Sequence, residues 1–166
     1  MEDALEDFRR TLEEFRQTVE EAAARMLSMT EDENRARRAE GKWSAKEVLG
    51  HLIDSASNNH QRFVRAQFKD DLVFHGYEQE LWVRAQKYED EPWPLLVNLW
   101  KYYNLHLAHV MEHAPEEVRR ASRDEHNLHR IGWVTIDEGE PATLEYLMLD
   151  YIGHLKNHLR QILGEV

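Results

Sequence analysis

His154 and His158 stand four residues apart in the run Asp150-Tyr151-Ile152-Gly153-His154-Leu155-Lys156-Asn157-His158. On a helix, residues i and i+4 share a face, with Cβ atoms about 5–6 Å apart. Two imidazoles so placed can grip one ion, since a zinc-like metal sits ~2.0–2.1 Å from each nitrogen. A third imidazole from a facing helix, His51, would complete three protein ligands and leave one coordination position open. That is the pattern of a catalytic site, because a structural site closes all four positions. A rival set is His106, His109 and His113, at spacings of three and four. His113 falls in the last turn before Pro115, where the helix dipole favours a cationic side chain, so this set also has a purely electrostatic explanation. His126 and His129 lie in a polar stretch that reads as surface loop, and His60 and His75 have no evident partner.

The composition narrows the chemistry. Histidine is abundant, ten of 166 residues, and cysteine is absent. The missing thiol excludes a disulfide framework, a thiolate zinc site, an iron–sulfur cluster and a cysteine nucleophile. A metal on three neutral imidazoles keeps its full charge. It can lower the pKa of bound water toward ~7 or hold an external thiolate. Any sulfur nucleophile must therefore come from a small-molecule thiol. If water is used instead, a nearby carboxylate could take the proton. Asp54, three residues after His51, and Asp150, one turn before His154, are the nearest carboxylates in sequence. Either could orient a ligand imidazole by accepting its other N–H, and Asp54 is also the candidate base. Both equally suit solvated helix positions, and helical angles turn Asp150 further from the core than His154.

Several classes have no support. There is no serine elbow, phosphate loop or Gly-rich dinucleotide fingerprint. No Glu-x-x-His occurs, as a di-iron bundle would need. The net charge of −11 is the wrong sign for a phosphate backbone, so no nucleic-acid partner is expected. No stretch approaches the ~20 apolar residues of a membrane span. The acidic Met1-Glu2-Asp3 start is unlike a secretory signal. With no cysteines, the expected location is cytoplasmic.

The elements that must position these groups are helical. Leu5, Phe8, Leu12, Phe15, Val19, Ala22, Ala23, Met26 and Leu27 recur mainly in steps of three and four, predicting an amphipathic first helix between Asp3 and Met29. Thr30 to Lys42 is a charged connector. Ser44 and Glu47 form a capping-box pattern opening a second helix with Val48, Leu49, Leu52, Ile53, Ala56, Phe63 and Val64 on one side. Trp43 reads as a staple onto it. Asp70 to Tyr77 is a break, and a short extra helix covers Gln79 to Lys87. Pro92 and Pro94 start a third long helix through Val110. Glu116 to Thr135 is irregular, with a short strand expected at Trp133 to Ile136. Thr143 caps a last helix carrying Leu144, Leu147, Met148, Tyr151, Ile152, Leu155, Leu159 and Ile162. Four long amphipathic helices predict an all-α four-helix bundle, with residues 1–166 as one domain. Gly50 and Gly153 precede candidate ligands inside helices, where glycine costs ~1 kcal/mol relative to alanine; close approach of another backbone would explain them. Trp82, Trp93, Trp100 and Trp133 read as core or interface.

Trp43-Ser44-Ala45-Lys46-Glu47-Val48-Leu49-Gly50-His51-Leu52-Ile53-Asp54 resembles the opening of helix two in the DinB-like (YfiT-type) four-helix-bundle superfamily, which reads Trp-Ser, a few helical residues, then His-Leu. The segment from Thr143 to Ile162 resembles that family's last helix, with its His-x-x-x-His followed by Gln-Ile. The resemblance implies one divalent metal, zinc or nickel, held by His51, His154 and His158. It also implies a homodimer, and either a hydrolase or a transferase or isomerase that uses a low-molecular-weight thiol such as bacillithiol or mycothiol. The substrate would be a small molecule, its pocket drawing on the unmatched stretches Asp70–Pro92 and Glu116–Pro141. The alternative is a non-catalytic dimeric bundle with a structural or vestigial ion.

Overall fold

The computed structural model describes residues 2–164, with side chains from Glu6 onward; the side chain of Leu5, expected in the first apolar stripe, lies outside them. Four long helices carry the fold: α1 (Glu2–Leu27), α3 (Ala45–Arg65), α5 (Trp93–His113) and α8 (Leu144–Leu163). Short helices α2 (Glu31–Arg35), α4 (Gln79–Gln86), α6 (Glu116–Arg119) and α7 (Leu128–Ile131) sit in the connections. α1 packs against α5 and α8, and α3 packs against the same two, so α1 and α3 face each other across the bundle. The apolar stripes meet at the centre, where Leu12, Phe15, Phe63, Leu52, Trp100, Leu107, Met111 and Leu159 are fully buried. None of the helices is long and apolar enough to cross a membrane.

The starts of the two helices that carry the candidate ligands are chemically defined. Ser44 accepts from the Glu47 N–H while the Glu47 carboxylate accepts from the Ser44 N–H, so both bonds of the capping box are present. This satisfies two donors that the first turn leaves without intrahelical partners. Thr143 caps α8 by accepting from the Tyr146 N–H. Lys46 is buried under the α3 start, its Nζ bonded to the carbonyls of Glu89 and Glu91 and paired with Glu31. That contact fixes the loop after α4 against α3.

Two expectations are corrected. The charged connector contains α2, opened by a second capping box between Thr30 and Glu33. Trp133–Ile136 is not a strand; among the described residues pairing is limited to isolated bridges such as Arg123 with Ala142 and Leu72 with His126. The segment is held by side chains instead. Asp150 accepts from the Trp133 and Val134 N–H groups, and the Tyr146 hydroxyl donates to the Val134 carbonyl.

Candidate metal centre

α3 and α8 bring His51, His154 and His158 together, each with a ring nitrogen within 4.8 Å of the others. The Nε2 atoms of His51 and His154 are 3.4 Å apart. Two nitrogens each ~2.05 Å from one ion at the tetrahedral angle would be separated by about 3.3 Å, so the spacing suits a shared cation. The three rings stand steeply to one another, at 83°, 67° and 74°, with centroids 5.3, 4.8 and 4.5 Å apart. His158 Nδ1 lies 3.2 Å from Gln161 Oε1. As the donor in that bond it leaves Nε2 with a free lone pair, the usual way a neighbour sets the tautomer of a ligand imidazole.

The site also holds these rings neutral. Burial pushes the His51 pKa down to about 3, with His158 and His154 adding like-charge repulsion. Burial, then His158, brings His154 down to about 4. Burial also lowers His158, partly opposed by Gln161. Neutral, clustered imidazoles are the donor set a divalent ion requires.

His51 is fully buried and forms the floor, its ring 5.3 Å from Trp43 and 6.5 Å from Tyr77. Trp43 therefore packs the His51 ring as well as stapling the helix start. His154 and His158 open instead onto a cavity of about 380 Å³. Its walls draw Ser55, Asn59 and Arg62 from α3, and Asp150 and Tyr151 from α8. Tyr77 and Gln79, with Arg130 to Trp133, come from the stretches Asp70–Pro92 and Glu116–Pro141. Burial raises the Tyr77 phenol to about 12, so it stays a protonated hydrogen-bond donor at neutral pH.

The two carboxylates have other partners. Asp54 Oδ1 accepts from the Tyr88 hydroxyl at 2.7 Å and from Gln86 at 2.6 Å, while Oδ2 is buried with no partner. Burial raises the Asp54 pKa against those two hydrogen bonds. No hydrogen bond joins it to His51, whose Nδ1 is buried and unpartnered. Asp150 secures the loop at Trp133 rather than His154.

Both helical glycines have a reason, but it is a ring and not a backbone. Three ring carbons of Tyr88 would lie within 2.6 Å of a Cβ at Gly50. Trp133 Cζ3 would lie 2.8 Å from one at Gly153. Trp133 is thus a cavity wall resting on α8, half-exposed rather than core, while Trp93 and Trp100 are buried as expected. Trp82 is half-exposed and packs its ring on Tyr77 at 4.9 Å.

The remaining histidines do not join the trio. His106, His109 and His113 are exposed on α5, and His113 bonds the His109 carbonyl through Nδ1. His60 has partners after all, the Tyr103 hydroxyl at 3.3 Å and the His106 ring. His126 is buried, not surface loop, bonding the Glu140 carbonyl and the Leu128 N–H. Tyr77, Tyr88 and Arg62 were the site residues hardest to foresee; only Arg62 had a signal, its place in line with His51 along the second helix.

Comparison with known structures gives a match over 98% of this chain and 85% of the other, with a TM-score of 0.73 and 17% identity. That structure is YfiT from Bacillus subtilis, described as a probable metal-dependent hydrolase with an unusual four-helix bundle topology. No curated protein is significantly similar in sequence. The likeness to YfiT establishes the four-helix-bundle fold, and a family profile settles the kinship: residues 7–162 match it, and the chain belongs to the DinB superfamily.

Proposed function

We propose that the chain is a metal-dependent enzyme, a hydrolase or a low-molecular-weight-thiol S-transferase, with His51, His154 and His158 as ligands of one divalent ion, zinc or nickel. The observation that carries this is the 3.4 Å approach of two imidazole nitrogens from separate helices, with a third ring beside them and a cavity onto which His154 and His158 open. The description of YfiT as a probable metal-dependent hydrolase supports the same reading. A divalent ion held there would supply Lewis acidity and lower the pKa of a bound water or thiol.

The chain's own groups do the rest. His51 closes the floor and excludes water from that side. Tyr77, in the wall of the cavity, offers a protonated hydroxyl for a developing negative charge. Asp54 acts as a positioning residue, holding Tyr88 over Gly50 and so fixing the backbone that carries His51. Residues 1–166 form one domain, working in the cytoplasm as a homodimer on a small-molecule substrate. Leu95, Leu99 and Tyr102, exposed along one face of α5, give that dimer an apolar surface.

The test is metal content of protein purified without a histidine tag. One divalent ion per chain is expected, and it is lost in the His51→Ala/His154→Ala double variant. Full occupancy in that variant refutes the ligand set. Thermal shift against low-molecular-weight thiols then separates an enzyme from a purely structural site. Metal-dependent thiol binding marks the S-transferase, and turnover of ester or amide panels marks the hydrolase. Stabilisation by metal with neither response refutes the enzymatic reading.

A further inference from the structure

Arg62 is a cation inside the cavity wall with no anion paired to it among the described residues. Only 7% of the residue is exposed. A guanidinium carries five N–H donors. Here the hydrogen bonds are one to Asn59 Oδ1 at 3.4 Å and one to the His75 carbonyl at 3.2 Å. None of the ion pairs among the described residues includes it. Asp150 is the carboxylate in the cavity wall, and its two oxygens are already taken by the N–H groups of Trp133 and Val134.

The other buried arginines are treated differently. Arg119 is paired with Glu145. Arg123 is likewise in none of these ion pairs but is held away from the cavity by three carbonyls, those of Ala66, Val118 and Ala121. The chain has 32 acidic residues and a net charge of −11, yet among the described residues no carboxylate forms an ion pair with Arg62. A desolvated charge with no counter-charge is strongly destabilising, so the arrangement makes sense when the missing anion arrives with a ligand.

His51 and Arg62 are eleven residues apart on α3, three helical turns or about 16 Å, and they lie on one face. Ser55 and Asn59 fill the turns between and line the same cavity. We propose that Arg62 binds an oxyanion, a carboxylate or phosphate, at one end of the substrate, while the other end reaches the histidine trio. The inference rests on the metal-enzyme reading for where the substrate reacts, but not for the anion site itself. A guanidinium grips either oxyanion through paired N–H donors, which an ammonium cannot reproduce.

The test uses chelator-stripped protein, so that no probe can bind an ion. Benzoate, the isosteric neutral benzamide, and phenyl phosphate are titrated while the ¹⁵N–¹H signal of Arg62 Nε is followed. Benzoate or phenyl phosphate should shift that signal and bind at least tenfold tighter than benzamide. Affinity should fall at least tenfold in Arg62→Gln and fall in Arg62→Lys, and stay within twofold in Arg84→Gln, an exposed arginine of α4 outside the cavity wall. Tighter benzoate assigns a carboxylate substrate, and tighter phenyl phosphate assigns a phosphate. Equal binding of benzoate and benzamide, unchanged affinity in Arg62→Gln, or an unmoved Arg62 signal overturns the proposal. The wild-type signal decides the matter even if a variant fails to fold. Protein that passes here but holds no metal keeps the anion site and loses the metal-enzyme reading; the opposite pattern does the reverse.

Discussion

Gly50→Ala should destabilise the protein, although alanine in a helix interior normally stabilises by ~1 kcal/mol relative to glycine. The added methyl would meet three ring carbons of Tyr88 within 2.6 Å, where carbon pairs rest at about 3.5–4.0 Å. The ring must retreat by about 1.5 Å, and it is enclosed. Tyr88 is 6% exposed, and its hydroxyl is tied to Asp54 at 2.7 Å. Overpacking costs about 1–3 kcal/mol. Breaking the Tyr88–Asp54 bond leaves a buried carboxylate with fewer partners, for about 1–3 kcal/mol more. Less the helix gain, the net loss is about 1–5 kcal/mol, with a centre near ~3. For a chain of this length that lowers Tm by roughly 6–12 °C. Calorimetry on chelator-stripped protein reads it without interference from metal. The same substitution in a Tyr88→Ala background should recover the intrinsic stabilisation, reversing the sign. A Gly50→Ala protein that melts higher than wild type refutes the reasoning.

Three further outcomes follow from the same structure. Gly153→Ala pushes Trp133 off α8, where its Cζ3 would be 2.8 Å from the new Cβ; the indole is half-exposed and can swing, so a milder loss of about 1 kcal/mol is expected by urea unfolding, with altered Trp133 fluorescence. Tyr151→Phe removes the buried 2.5 Å hydrogen bond to Asn104 Oδ1 and should cost about 1–3 kcal/mol, visible as a lower urea midpoint at unchanged slope. Metal-free protein should lose stability as pH falls below about 6.5. Unfolded histidines then take protons that the buried rings, lowered to about 3 and 4 at His51 and His154, refuse. At pH 5 a fully suppressed imidazole accounts for about 2 kcal/mol, less for His154 and His158 at the cavity edge, and a urea midpoint that is flat or rises between pH 7 and 5 contradicts this.

The bundle was legible because each long helix carries its stripe and start signal in consecutive residues: Ser44 with Glu47, Thr143, and Pro92 before Trp93. The trio was legible for a related reason. Two rings share an i, i+4 spacing, and His51 sits within a recognisable helix opening. The cavity walls were not. Tyr77, Trp133 and Tyr88 come from stretches with no period, placed by contacts distant in sequence such as Tyr88 on Asp54 and Trp133 on Asp150. The partners of Asp54 were hidden for the same reason, since proximity to His51 in the chain says nothing of a tyrosine and a glutamine arriving from beyond α3. The glycines announced a close approach without naming the approaching group.

The nitrogens of His51 and His154 belong to residues 103 apart in the chain. A partly folded chain with only its last helix formed can present two imidazoles, and presents three only once that long loop has closed, at an entropic cost of about 4 kcal/mol on the polymer estimate. Full coordination therefore reports completed topology. If the trio holds an ion as proposed, a cation captured early by the His154–His158 pair would exchange quickly, and retention would lengthen only when α3 docks, so its off-rate during refolding would serve as a clock for the final assembly of the bundle.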